Sequence, residues 1–417
     1  MKEIFTPGAI CGEVRVPASK SQAHRAMICA ALAGNSHVTG LTHSDDMTAT
    51  LCALRALGAD LTADPDLADG VLTTGKPLVC RLDSELRTVD CGESASTLRF
   101  MIPLASALGK SVEFTGRGRL PKRTTRLYEP LLTANGVTVK YPDNGDFLPL
   151  RVNGELEGGE FAIRGDVSSQ FVTGLLFALS VIGSGCVRLT TKLESRPYAD
   201  LTVDMLRSFG ITVDETEDSY RVSGGFRPAD IIVDGDCSQA AFFAVAAAIN
   251  GDVAIKGIDP STRQGDFIVF DIVRRFGGKV GFGADSIRVS RGELFASDID
   301  AADIPDLVPA LAVMAAFAKG TTRIYNAGRL RLKESDRIAS TAAMLRSLGG
   351  EVSETEDGLL ITGRRLTGGE VAAFGDHRIA MAAAAASVGC SGAVTIDDMS
   401  CTAKSYPDFC RDWSRLR

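Results

Sequence analysis

Lys333, Glu334 and Arg337 lie within the stretch Arg329-Leu330-Arg331-Leu332-Lys333-Glu334-Ser335-Asp336-Arg337. Just downstream, Ile338, Ala342, Leu345 and Leu348 recur at helical spacing, and Gly349-Gly350 ends the run as a C-cap does. The three charged residues therefore fall at or just before the first turn of a helix, where free N–H groups and the macrodipole attract anions. Two fixed cations beside one carboxylate are suited to holding a doubly charged group and offering it a proton donor. Taken alone, the same residues also describe a capped surface helix with intrahelical ion pairs. The choice between the two readings rests on how many such helix starts the chain contains.

There are several. Pro17-Ala18-Ser19-Lys20-Ser21-Gln22-Ala23-His24-Arg25 precedes small and apolar residues over 26–33, with Ser19 as the cap and Gly34 as the stop, and a second helix follows over 47–57, ended by Gly58. Cys91-Gly92-Glu93-Ser94-Ala95-Ser96-Thr97-Leu98-Arg99 opens an apolar run to Gly109, and Gly165-Asp166-Val167-Ser168-Ser169-Gln170 opens one to Gly183. Asp234-Gly235-Asp236-Cys237-Ser238-Gln239 leads to Gly251, Asp303-Ile304-Pro305-Asp306 to Gly320, and Gly375-Asp376-His377-Arg378 to Gly389. A more amphipathic helix usually comes next, over 127–135, 198–209, 267–276 and 338–348, and strand-like runs cover 187–190, 253–258, 321–325 and 394–396.

About six copies, roughly 70 residues apart, mark repeated supersecondary units. The first helix of each copy is apolar nearly all round and should be buried, while the second should lie outside it. The class is α/β (α+β), built from βαβαββ-like modules. A break at Gly224-Gly225-Phe226-Arg227-Pro228 separates three copies from three, and an early strand over 9–16 is expected to join the later half. The expected division is residues 1–17 with 228–417 as one lobe and 18–227 as the other. Parallel buried helices in each lobe would bring their polar starts to one face: Lys20, Ser21 and Arg25; Ser96 and Arg99; Ser168, Ser169 and Gln170; Asp306; Lys333, Glu334 and Arg337; His377 and Arg378.

Composition narrows the function classes. With 417 residues and 45% hydrophobic content the chain can bury large cores in two or more domains. A net charge of −7 argues against a nucleic-acid or polybasic membrane binder. Ten cysteines without a CxxC pair and four scattered histidines resemble neither a metal site nor a disulfide framework, so reduced thiols in a cytoplasmic protein are expected. The first ten residues carry no secretory h-region, and apolar runs such as 242–249 and 379–388 are too short to span a bilayer. Gly70-Val71-Leu72-Thr73-Thr74-Gly75-Lys76-Pro77 nearly fits a P-loop, but Pro77 replaces the Mg²⁺-binding hydroxyl and no apolar helix follows. Serine-hydrolase chemistry is equally unsupported, because no Gly-x-Ser-x-Gly elbow occurs.

Taken together, five ordered motifs carry a resemblance: Pro17-Ala18-Ser19-Lys20-Ser21, Gly165-Asp166-Val167-Ser168-Ser169-Gln170, Leu332-Lys333-Glu334-Ser335-Asp336-Arg337, Gly375-Asp376-His377-Arg378 and Ala403-Lys404-Ser405-Tyr406-Pro407-Asp408. Across essentially its whole length the chain resembles the 3-phosphoshikimate 1-carboxyvinyltransferase (EPSP synthase) family. The resemblance implies a two-lobed inside-out α/β barrel, three modules per lobe, closing on its substrates. It also implies enolpyruvyl transfer from phosphoenolpyruvate to the 5-hydroxyl of shikimate 3-phosphate, with no cofactor, no metal, and small-molecule substrates as the only partners. A monomer is expected, since no long exposed apolar stripe is evident.

By motif match, Ser21 and Arg25 would hold the shikimate carboxylate. Ser168, Ser169, Ser195 and Lys333 would hold its phosphate, with Gln170 between the two substrates. Arg337 and Arg378 would grip the phosphoenolpyruvate carboxylate, and Lys20, Arg123 and Lys404 its phosphate. Asp306 would take the hydrogen bond and the proton of the attacking hydroxyl. Glu334 would protonate the methylene carbon and later reclaim that proton, and Lys20 would serve the departing phosphate. Whether Lys20 or Asp306 receives the hydroxyl proton stays open at this level.

One departure from the family pattern stands out. Where the common loop is Asn-Ala-Gly-Thr, this chain has Glu93-Ser94-Ala95-Ser96, so Ala95 puts a methyl beside the phosphoenolpyruvate position, and weak inhibition by the longer glyphosate is expected. Glu93 adds a charge there, with Arg99 and Arg123 as its candidate partners. The rival readings are the sister enolpyruvyl transferase acting on UDP-N-acetylglucosamine and a non-catalytic anion-binding homologue. The first carries a reactive Cys that Arg117-Gly118-Arg119-Leu120-Pro121-Lys122-Arg123 lacks. The second has no need for both Asp306 and Glu334 among cations.

Overall fold

A computed structural model describes residues 1–65, 67–142, 145 and 147–417. Its helices, in chain order, are α1 (Lys20–Ala33), α2 (Asp45–Leu57), α3 (Ala95–Ala107), α4 (Tyr128–Thr133), α5 (Ser169–Ile182), α6 (Arg196–Ser208), α7 (Cys237–Asn250), α8 (Val269–Phe276), α9 (Val308–Phe317), α10 (Arg337–Ser347), α11 (His377–Ala386) and α12 (Phe409–Ser414).

These helices alternate with strands in a repeated β-α-β-α-β-β order. Asp83–Asp90, α3, Lys110–Thr115, α4, Val137–Lys140 and Leu150–Gly154 form one such module. Its first two strands pair in parallel and its last two antiparallel, with Leu150–Gly154 between Lys110–Thr115 and Val137–Lys140. The same pairing recurs around α5 and α6, around α7 and α8, and around α9 and α10. Three modules borrow a strand from far away in sequence, the α7–α8 module taking Ile10–Arg15 in parallel beside Gly251–Lys256. Asp230–Ile232 pairs in parallel with His37–Thr39 to complete the α1–α2 module, and Glu3–Phe5 pairs antiparallel with Val394–Ile396 beside α11. The fold is thus the mixed α/β class, six modules in all, with the helices of the first kind inside and the sheets outside.

The chain divides into two compact units, Met1–Ser19 with Asp234–Arg417, and Lys20–Val233. The seams lie at 19/20 and 233/234, where sequence alone placed them at 17/18 and 227/228. Sheet pairing accounts for the second difference: Asp230–Ile232 lies beyond the Gly-rich break yet hydrogen-bonds to His37–Thr39. At the first seam, Ser19 N still donates to Asp234 O within the larger-numbered unit.

Within Met1–Ser19 with Asp234–Arg417, α7, α9 and α11 pack on one another and are buried along almost their whole length. Their Ala-rich sequences permit this, because small side chains let helices approach while every turn still removes apolar surface from water. In Lys20–Val233 the closest helix pair is α3 on α5. Gly174 sits at their contact, and Tyr128 Oη donates to Arg99 O at 2.8 Å and lies 3.0 Å from Phe171 O. A Cβ on Gly174 would overlap Tyr128 Oη and Arg99 O.

Several element ends differ from the sequence expectation for local reasons. α4 is only six residues long, against an expected 127–135. α9 starts at Val308 after a 3₁₀ turn over Pro305–Leu307 that carries Asp306. Gly251 does not stop α7 in a left-handed conformation but opens the next strand with extended backbone.

Replacing Gly174 by Ala should lower the thermal unfolding midpoint by several degrees, since overpacking a well-filled contact costs about 1–3 kcal/mol. Gly281→Ala is the control, because a Cβ there meets nothing within 4 Å. Equal midpoints for the two variants would show that the α3–α5 contact yields without cost.

Candidate active site

In the unit formed by Met1–Ser19 and Asp234–Arg417, the charged residues singled out by sequence converge. Lys333 follows a 3₁₀ turn over Gly328–Leu332, and Asp336 caps α10 by accepting from Ala339 N at 3.1 Å, which sets Arg337 as the first helical residue. Arg337 is 1% exposed. Its Nη1 donates to Asp306 Oδ1 at 2.8 Å, its Nη2 to Glu334 Oε2 at 2.7 Å, and its Nε to Asp376 Oδ2 at 2.8 Å. A buried guanidinium is tolerable only with its donors satisfied by carboxylates. Burial works against its charge, yet Asp376, Glu334 and Asp306 hold its pKa above the ordinary arginine value.

Asp376 has a second task. It is fully buried, caps α11 by accepting from Arg378 N at 3.0 Å, and also accepts from Ser335 Oγ at 3.0 Å. The residue that starts α11 is therefore the residue that orients Arg337, and it places Arg378 beside it. Arg378 in turn donates from Nη1 to Asp306 O at 3.0 Å and from Nη2 to Asp306 Oδ2 at 3.1 Å. Lys333 Nζ lies 3.5 Å from Asp306 Oδ1, and Lys404 Nζ lies 3.8 Å from Glu334 Oε1. Lys404 ends a 3₁₀ turn over Ser400–Lys404 and is buried.

Four cations and three carboxylates thus share one cluster, a net positive site in a chain of net charge −7. Burial alone would raise the Asp306 pKa, but Arg378, Lys333 and Arg337 outweigh it and hold the carboxyl well below the ordinary range. Asp306 is ionised and pinned between cations, while Glu334 stands on the other side of Arg337.

In the unit Lys20–Val233 most of the remaining candidates lie at helix starts, while Arg123 follows the 3₁₀ turn Leu120–Lys122 with extended backbone. Lys20 opens α1, and its Nζ lies 2.9 Å from Oδ2 of the buried Asp46 at the start of α2. Arg25 is buried one turn further on. It donates to Ser21 O at 2.6 Å, Thr202 Oγ1 at 2.8 Å, Tyr198 O at 2.7 Å and Thr173 Oγ1 at 3.3 Å. Burial pulls its pKa down to about 10, which leaves it charged at neutral pH.

Ser168 caps α5, accepting from Gln170 N at 3.3 Å, and Ser169 is the first helical residue. Gln170 bridges two elements: Arg99 Nη1 donates to its Oε1 at 2.8 Å, and its Nε2 donates to Ser96 Oγ at 2.9 Å. Arg99 also reaches Thr124 O at 3.2 Å, next to Arg123. Ala95 is the first residue of α3, directly after the cap Ser94. Ser195 precedes α6 with φ 56° and ψ 39°, a left-handed conformation unusual for a serine, and its side chain makes no capping bond. Glu93 lies against Gly118 of the basic loop.

Sequence reasoning gave no role to Asp46, Asp376, Thr173, Thr202 or Tyr198. Asp376 falls within the cap stretch 375–378 and Asp46 just precedes the helix expected over 47–57. Their partners on other elements carry no local signal. Among the described residues no group of His, Cys, Asp and Glu is arranged to hold a metal, and no helix is long and apolar enough to cross a membrane.

A carboxyl whose folded pKa is depressed adds stability that is complete above its unfolded value, about 3.9 for Asp, and is lost as pH falls through the folded value. Asp306→Asn should therefore lower the thermal midpoint at pH 7 and flatten the loss of stability below about pH 4. An unaltered acid limb in that variant would show that Asp306 is not coupled to the cations around it.

A family model for EPSP synthase (3-phosphoshikimate 1-carboxyvinyltransferase) matches residues 4–413. The 3-phosphoshikimate 1-carboxyvinyltransferase of Clostridium novyi (strain NT) is 40% identical over 419 residues, covering 98% of this chain and 96% of that protein. That of Methanocorpusculum labreanum is 41% identical over 422 residues, covering 100% and 98%. A 2.37 Å structure of EPSP synthase from Acinetobacter baumannii superposes with a TM-score of 0.80 at 27% identity, covering 100% of this chain and 98% of that one. Six like modules, a buried Arg337 cluster and a family match over nearly every residue lead to one conclusion: the chain belongs to the EPSP synthase family.

Proposed function

We propose that this chain transfers the enolpyruvyl group of phosphoenolpyruvate to the 5-hydroxyl of shikimate 3-phosphate and releases phosphate, a step of the shikimate pathway towards aromatic amino acids. The observation that carries the proposal is the cluster of Lys333, Arg337, Arg378 and Lys404 around Asp306 and Glu334. Two substrates bearing carboxylates and phosphates need several fixed cations, and the chemistry needs carboxylates that handle protons beside them.

Arg337 and Arg378 hold the phosphoenolpyruvate carboxylate, and Lys20, Arg123 and Lys404 its phosphate. Ser21 and Arg25 hold the shikimate carboxylate. Ser168, Ser169, Ser195 and Lys333 hold its phosphate, and Gln170 lies between the substrates. In the addition step the 5-hydroxyl oxygen bonds to C2 of phosphoenolpyruvate, the hydroxyl proton passes to Asp306, and Glu334 protonates C3. In the elimination step C3 returns a proton to Glu334 and the C2–O bond to phosphate breaks, with Lys20 serving the leaving group.

The depressed pKa of Asp306 fits this order of events. Pinned by three cations it is a weak base. As substrate anions engage those cations, their pull on Asp306 is shared and its proton affinity rises. Base strength is therefore coupled to the arrival of substrate.

The sister reaction on UDP-N-acetylglucosamine is not favoured, because the loop 117–123 has no cysteine and the family match is to EPSP synthase. A cytoplasmic monomer completes the proposal, and ten free thiols support a reducing compartment.

Phosphate release from phosphoenolpyruvate, dependent on shikimate 3-phosphate, is the direct test. Release that depends instead on UDP-N-acetylglucosamine would overturn the assignment. Asp306→Ala should keep binding both substrates while turnover falls by about 10²–10⁴. Near-normal turnover there would remove Asp306 from the chemistry. Ala95 is buried at the first turn of α3, where its methyl would crowd glyphosate more than phosphoenolpyruvate. Ala95→Gly should lower the glyphosate concentration needed for half-inhibition, and an unchanged value would rule that crowding out.

A further inference from the structure

His24 lies in the first helix-start stretch, residues 17–25, but has no place in the chemistry above. It is fully buried on α1, and a string of side chains leads away from it. His24 Nδ1 lies 2.7 Å from Thr50 Oγ1 on α2, and Thr50 Oγ1 lies 2.7 Å from Thr97 Oγ1 on α3. Thr97 Oγ1 donates to Ser94 Oγ at 2.8 Å, and Ser94 Oγ also accepts from Thr97 N at 3.3 Å. All four residues are buried.

A hydroxyl has one proton to give. Thr97 gives its proton to Ser94, so it accepts from Thr50. Thr50 has then spent its own proton and accepts from His24. His24 is therefore the Nδ1–H tautomer, with a bare Nε2 that meets no partner. The opposite direction would bury an N–H donor without an acceptor, which is the rarer fault. Burial holds the ring neutral, with a pKa of about 3 against the opposing pull of Asp46. The ring meets Phe100 of α3 edge-on, with centroids 6.1 Å apart.

The string ends on the cap of α3, next to Ala95. Arg25, the next residue of α1, has its own anchors in Thr173, Thr202 and Tyr198. We infer that His24 is a positioning residue that holds the start of α3, through Thr50, Thr97 and Ser94, at the distance phosphoenolpyruvate requires. This rests on the assignment of Ala95 to the phosphoenolpyruvate side.

The test compares His24→Leu, Thr50→Val and His24→Asn in steady-state phosphate release. Leu removes the donor and Val cuts the string at constant shape, whereas Asn restores an N–H at the Nδ1 position. One lost buried hydrogen bond corresponds to a three- to tenfold change, so the first two should raise KM for phosphoenolpyruvate by about that factor. KM for shikimate 3-phosphate should stay within about twofold, and His24→Asn should stay near the parent for both. Parallel rises in both KM values, or His24→Asn as impaired as His24→Leu, would overturn the inference. If His24→Leu does not fold, Thr50→Val carries the same comparison. Long-range ¹H–¹⁵N spectra of histidine-labelled protein read the tautomer independently of the reaction. An Nε2–H signal for His24 overturns the relay, whereas a parent protein silent on both substrates with an Nδ1–H signal overturns only the assigned reaction.

Discussion

A guanidinium carried into the protein interior must bring its counter-ions with it, and Arg337 does so. Its carboxylate partners come from three separate segments: Asp306 from the turn before α9, Glu334 from its own loop, and Asp376 from the cap of α11. Removing any one leaves a charge in a place where charge is costly. The ends of α9, α10 and α11 are thereby fixed to one another by a single side chain. The repeated module supplies the helices, but this ion cluster sets how their starts are registered.

The cluster also shows how an acidic protein can present an anion site. Net charge governs behaviour far from the surface, while local charge governs what a buried pocket accepts. Exposed charges on the sheets pair off, as in Arg288 with Asp252 and Arg188 with Glu160, and such pairs are worth little each. Near the helix starts Arg25, Arg337 and Arg378 are buried instead and Lys20 and Lys333 half-buried, so solvent screens them less.

The six-fold repeat, the buried first helices and the helix starts carrying Lys20, Ser168, Asp306, Lys333, Arg337 and Arg378 were all legible in the sequence. Periodicity and caps are local signals, and these features are local. What stayed hidden was pairing at long range. Asp376 looked like a cap, and nothing within a few residues marked it as the partner of Arg337, 39 residues back. Asp230–Ile232 lay beyond a Gly-rich break and read as the start of the next unit, yet sheet pairing returned it to His37–Thr39. His24 sat on an apolar helix face, where a satisfied core histidine is the ordinary reading, and only the positions of Thr50 and Thr97 show where its proton goes.

Small residues and charged caps are two halves of one arrangement. The Ala-rich lengths of α7, α9 and α11 bury nearly everything they carry and contribute stability through packing, with little chemistry of their own. Because small side chains let these helices lie close, their first turns lie close as well, and polar residues there share one dielectric environment. Larger core residues would separate the helix ends and weaken every ion pair between them, even where each pair kept its own geometry in isolation. The identity of residues well below the site therefore bears on its electrostatics: core volume sets the spacing of the charges, and the spacing sets how strongly Asp306 holds or gives up a proton.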